Sequence, residues 1–91
     1  AITRDIALVV NEDMTSQAVL DVIYHSGGEL LKEARLFDVY QGEHLESGKK
    51  SLAFSVKYYD PNRTLTENEV VKVHDYLLEA LNTQLGAVLR G

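Results

Sequence analysis

Between Ser51 and Tyr59 the sequence reads SLAFSVKYY, so that Leu52, Phe54, Val56 and Tyr58 alternate with Ser51, Ala53, Ser55 and Lys57. Successive side chains of a strand point to opposite faces, so this pattern places an apolar row under cover and a small, polar row on the other side. A chain built around such a strand needs a sheet with one covered face, and amphipathic elements to cover it.

The rest of the sequence supplies them. Ile6 to Val10 is a short continuous apolar strand, ended by the turn formers of NEDM. From Thr15 the period changes: Ala18, Val19, Val22 and Ile23 recur at helical spacing, and Gly27 and Gly28 stop that helix. Leu30 to Tyr40 reads as a long second strand, and QGEHLESG, Gln41 to Gly48, as a polar connection to the third. DPNR is a turn, in which Pro61 fixes its own φ while Asp60 and Asn62 bond to nearby backbone. Thr66 followed by Glu69 forms a capping box that opens a second helix, with Val70, Val73, Leu77, Ala80 and Leu81 as its apolar stripe and Gly86 as its stop. AVLR gives a short last strand.

The order is β-α-β-β-α-β. Two helices with one stripe each can cover only one face of a four-stranded antiparallel sheet, so the expected fold is α+β, a ferredoxin-like sandwich with both helices on one face. Alternation assigns Ile6, Leu8, Val10, Phe37, Val39, Leu52, Phe54 and Val56 to the helix side. It leaves Ala7, Val9, Leu36, Asp38, Tyr40, Ser51, Ala53 and Ser55 on the uncovered face.

Bulk properties exclude several function classes. With 91 residues the chain has room for one domain, 1–91, near the small end of the usual range. No cysteine is present, which removes disulfides and thiolate sites and fits a cytoplasmic setting. The longest apolar run, Ile6 to Val10, is too short to cross a bilayer, and no signal peptide is evident. The chain starts at Ala1 and runs straight into a strand pattern, as expected of a domain cut from a larger protein. The formal net charge of -5 counts against nucleic-acid binding, because polyphosphate affinity comes largely from Lys and Arg. That objection weakens where a domain reads a few unstacked bases while another part of the protein holds the backbone.

No catalytic constellation is visible. His25, His44 and His74 are far apart and lack partners at metal-ligand spacing. Ser26 to Gly28 is a helix stop rather than a phosphate loop, and nothing assembles the serines, histidines and aspartates into a nucleophile site. The uncovered face differs in kind. Tyr40 offers a rigid ring, while Ala7, Ser51 and Ala53 are small enough to admit a flat group, and Arg4, Lys49 and Lys50 lie near the same strand ends. From pattern alone two readings stay open: a wet sheet face, common in antiparallel sheets, and a recognition platform.

Three stretches carry a resemblance. TRDIALVV (Thr3 to Val10), LFDVYQGEHLESGKKSLAFSV (Leu36 to Val56) and DPNRTLTENEV (Asp60 to Val70) resemble the ferredoxin-fold anticodon-binding family, which forms the C-terminal domain of bacterial phenylalanyl-tRNA synthetase beta subunits. The likeness covers the whole chain, including the closing LRG of Leu89 to Gly91. It implies an RNA-binding domain without an active site, holding the anticodon of tRNA(Phe) so that aminoacylation proceeds elsewhere in a phenylalanine–tRNA ligase. Anticodon contacts would then fall on Tyr40, stacked on the first base, with Ser51 and Ala7 beside it and Asp38 as an edge acceptor; Arg4, Lys49 and Lys50 would be backbone contacts.

The same resemblance implies no cofactor and no metal in this domain, with ATP and magnesium used by the parent enzyme. Implied partners are the anticodon stem-loop, the remainder of the beta subunit and an alpha subunit in an alpha2-beta2 assembly, with no membrane. Two alternatives follow from the element order and charge: an ACT-like regulatory module binding small molecules, and a protein-docking domain. The first expects a glycine before a helix start, whereas the glycines here follow helix one.

Overall fold

The computed structural model of the protein describes residues 1–90, so Gly91 of the closing LRG stretch lies outside the described residues. These residues form four strands, β1 (Ile2–Asn11), β2 (Leu31–Tyr40), β3 (Lys49–Tyr58) and β4 (Val88–Leu89), and two α-helices, α1 (Ser16–Gly27) and α2 (Glu67–Leu85). A single 3-10 turn, Gly28–Leu30, joins α1 to β2. The strands make one sheet in the order β2-β3-β1-β4, with every pairing antiparallel. This is the ferredoxin-like arrangement expected from the element order.

Both helices lie on one side. Ile6, Leu8 and Val10 of β1 and Leu52, Phe54, Val56 and Tyr58 of β3 share one sheet face and are buried with Val19 and Ile23 of α1 and Val70, Leu77 and Leu81 of α2. Each apolar side chain sealed in this layer contributes roughly 1.5–3 kcal/mol of transfer free energy, which is where a chain this short finds its stability. Local chemistry sets the ends of the helices. Thr15 Oγ1 accepts from Ala18 N–H at 3.1 Å, and Thr66 and Glu69 form the full reciprocal capping box. Gly86, at φ 68°, closes α2 in the left-handed region, its N–H donating to Asn82 and Leu81 carbonyls.

β2 is an edge strand, and a helix residue blunts it. The Tyr24 hydroxyl accepts from Ala34 N–H at 2.9 Å and donates to the Ala34 carbonyl at 3.2 Å, occupying backbone groups that would otherwise face solvent.

The structure corrects the strand reading in three places. β1 begins at Ile2 rather than Ile6, because its ladder with β3 runs from Ile2 opposite Tyr58 to Asn11 opposite Lys49. The charged Arg4 and Asp5 hid this half of the strand. β3 likewise starts earlier, at Lys49. The third correction concerns β2, whose register slips between Leu31 and Glu33 and again between Leu36 and Asp38. A bulge at Phe37 inserts one residue and resets the alternation upstream of it. Leu36, expected on the uncovered face, therefore sits opposite buried Phe54 on the helix side and packs against the core. Phe37, expected under the helices, is 46% exposed. Val39 keeps the expected side, opposite Leu52, yet is 53% exposed near the end of the strand. Asp38 and Tyr40 lie beyond the bulge and keep their places.

Candidate nucleic-acid interface

The uncovered face is built in rows across the sheet. Tyr40 of β2 stands opposite Ser51 of β3, which stands opposite Val9 of β1. The next row runs Asp38, Ala53 and Ala7. Side chains directly opposite on one face are close neighbours, with Cβ atoms about 4.5–5.5 Å apart. Thus Tyr40, Asp38, Ser51 and Ala7, four residues from three strands, meet on one patch. The methyl groups of Ala7 and Ala53 keep the sheet surface low beside the ring.

Two features depart from an open hydroxylated platform. Ser51 is only 3% exposed, flanked across the sheet by Tyr40 and Val9. Tyr40 itself is half-buried, and the guanidinium carbon of Arg90 lies 4.6 Å from the centroid of its ring. Arg90 reaches this spot because its N–H donates to the Ala7 carbonyl at 2.9 Å, continuing the β4–β1 ladder by one residue onto the uncovered face. Sequence reasoning left Arg90 out. The signal that could have found it is the alternation in Val88, Leu89, Arg90 once β4 is set beside β1.

The three cationic residues expected near the platform separate. Lys49 lies in register with Asn11 at the end of the uncovered face, and its Nζ donates to Asn11 Oδ1 at 2.7 Å. Lys50 is opposite Val10, on the helix-side parity. Arg4 is opposite buried Val56, also on the helix side, and its guanidinium pairs with Glu67 at the start of α2. That contact places Arg4 across the sheet from Tyr40, and it follows from the length of β1 that the sequence concealed.

Charge is distributed unevenly. α2 carries Glu67, Glu69, Asp75 and Glu79 against Lys72 alone, on the side of the sheet away from the platform. By register the uncovered face carries Arg35, Lys57, Lys49 and Arg90 against Asp5, Glu33 and Asp38. The net negative charge of the chain therefore does not describe this face. On the helix side the hydroxyl of the fully buried Tyr58 is hydrogen-bonded to Nδ1 of His74 at 2.9 Å. Burial pushes the Tyr58 phenol up to about 12, and burial, then Arg4, holds His74 below its ordinary value. This pair fixes α2 to β3 and is remote from Tyr40.

Among the described residues no group of three or more His, Asp or Glu side chains is placed to hold a metal ion, and no helix is long and apolar enough to cross a membrane.

Comparison with known proteins identifies the family. The model of the ferredoxin-fold anticodon binding domain matches residues 1–90. The chain is 57% identical over 91 residues to the phenylalanine–tRNA ligase beta subunit of Halalkalibacterium halodurans, 55% to that of Bacillus subtilis and 54% to that of Geobacillus kaustophilus. In each case all of this chain is covered but only 11% of the relative, so the chain spans about a tenth of their length.

Proposed function

The chain belongs to the ferredoxin-fold anticodon-binding domain family, and from that premise we propose that it recognises the anticodon of tRNA(Phe) as a non-catalytic domain of a phenylalanine–tRNA ligase beta subunit in the cytoplasm. The observation that carries the proposal is the Tyr40 ring set among Ser51, Ala7 and Ala53 on the sheet face that no helix covers. An aromatic ring beside small residues suits an unstacked base, and a base stacked on it gains about 1–3 kcal/mol.

In this reading the first anticodon base stacks on Tyr40, on the ring surface where Arg90 now lies. Asp38, exposed in the neighbouring row, accepts from a base edge, and Ala7 and Ser51 bound the space beneath. Of the cations named from the sequence, Lys49 keeps a backbone-contact role; Arg4 and Lys50 lie on the other parity and are left out of it. Stacking gives affinity, edge contacts give choice of base, and the cations add a salt-dependent share.

The larger protein would supply the rest: ATP, magnesium and phenylalanine sites in other domains, and an alpha subunit as partner. The test is a titration of the protein with a phenylalanine anticodon stem-loop, followed by NMR. Shifts should concentrate on Ala7, Asp38, Tyr40, Ser51 and Arg90. Shifts confined to the outer faces of α1 and α2 would overturn the proposal.

A further inference from the structure

Gly42 sits two residues beyond Tyr40, where the chain leaves β2. A methyl group added there would stand 2.4 Å from the Tyr40 hydroxyl oxygen, 2.7 Å from Cζ and 3.3 Å from Cε1. Non-bonded atoms do not approach so closely, so the ring and a side chain at this position exclude one another. The glycines with positive φ are Gly28, Gly48 and Gly86, and Gly42 is not among them, so no left-handed backbone calls for glycine there.

Two backbone turns shape the connection that Gly42 opens. The Gly42 carbonyl accepts from Leu45 N–H at 3.1 Å, and the Glu46 carbonyl from Lys49 N–H at 3.1 Å, which ties the connection back into β3. In this turn a substituent at Gly42 occupies the place of the ring's hydroxyl end, the free end of a side chain, and displaces it. Moving the ring also removes the surface on which Arg90 lies.

We propose that Gly42 is a positioning residue for base recognition: its missing side chain is the space into which the hydroxyl end of Tyr40 lies, fixing the ring's tilt on the sheet. The inference rests on the anticodon reading given above, and goes beyond it by assigning a role to a residue to which that reading gives none. Its reach is limited to the ring, so Gly42 matters to binding only while Tyr40 is aromatic.

The test uses the full-length ligase that carries this domain, with Gly42→Ala, Tyr40→Ala and the double variant. Charging of tRNA(Phe) by Gly42→Ala should show KM for tRNA raised by roughly fivefold or more, the lower end of what a lost base stack costs, with phenylalanine-dependent pyrophosphate exchange unchanged. In the Tyr40→Ala background, Gly42→Ala should add less than roughly twofold. The double variant should also unfold at the same denaturant midpoint as Tyr40→Ala alone. If Tyr40→Ala is impaired and Gly42→Ala charges like wild type, the positioning role falls and the anticodon reading stands. If Tyr40→Ala itself is unimpaired, the anticodon reading falls and takes this role with it. A lower midpoint for the double variant, or a multiplicative loss in charging, would make Gly42 a backbone requirement and overturn the proposal.

Discussion

The guanidinium of Arg90 lies over the ring of Tyr40, 4.6 Å from its centroid, and so the two ends of the sheet meet on its uncovered face. Tyr40 is in β2, at one edge, and Arg90 follows β4, at the other; Ala7 and Ala53 between them are small enough for the long side chain to cross. A cation over an aromatic face at a partly exposed site is worth roughly 0.5–1 kcal/mol.

A double-mutant cycle measures this contact. Arg90→Ala and Tyr40→Leu, singly and together, should show a coupling of about 0.5–1 kcal/mol in denaturant unfolding. Additive losses would mean that the two side chains do not interact in solution.

The bulge at Phe37 makes a second expectation. Phe54 is fully buried opposite Leu36, so Phe54→Ala should cost about 3–5 kcal/mol. Phe37 is 46% exposed, and Phe37→Ser should cost less than about 1 kcal/mol. Equal losses in urea midpoints would put Phe37 back under the helices and remove the bulge.

The Tyr58–His74 pair predicts an acid-side loss of stability. Burial raises Tyr58 to about 12, so its hydroxyl stays protonated in its 2.9 Å hydrogen bond with Nδ1 of His74. His74 is held below its ordinary 6.5, first by burial and then by Arg4, with Asp75 opposing. As pH falls through 6.5 the unfolded chain takes up a proton that the folded one refuses, so stability drops on acidification and is complete above that value. Wild type should lose more stability than His74→Gln between about pH 7.5 and 5.5. Parallel pH profiles for the two would contradict a half-buried histidine held neutral.

Much of this molecule was legible in its sequence because the signals were local. Thr66 and Glu69 announce α2 without help from the rest of the chain, and the alternation from Ser51 to Tyr58 fixes the face of each residue in that stretch of β3. Tyr40, Asp38, Ser51 and Ala7 fell on one face because their strands run regularly in the relevant stretches. The misplaced residues depended on relations between strands. A bulge leaves no mark in the spacing of LFDVY, so Leu36 changed faces and Phe37 lost its cover unseen. Arg4 looked like a platform cation until the β1–β3 ladder set it opposite Val56. Arg90 became visible only when β4, two residues long, was laid beside β1.

The central claim is that the Tyr40 ring holds the first anticodon base, and steady-state charging by the full ligase tests it most directly. Wild type and Tyr40→Ala are compared on tRNA(Phe) and on tRNA substituted at that base. Losing the stack should weaken tRNA binding by about 1–3 kcal/mol, roughly five- to 150-fold, and erase most of the discrimination between the two tRNAs. Activation of phenylalanine with ATP should be unchanged, and Tyr40→Phe, which keeps the ring face, should be milder. A Tyr40→Ala enzyme that still distinguishes the first anticodon base as well as wild type would contradict the account.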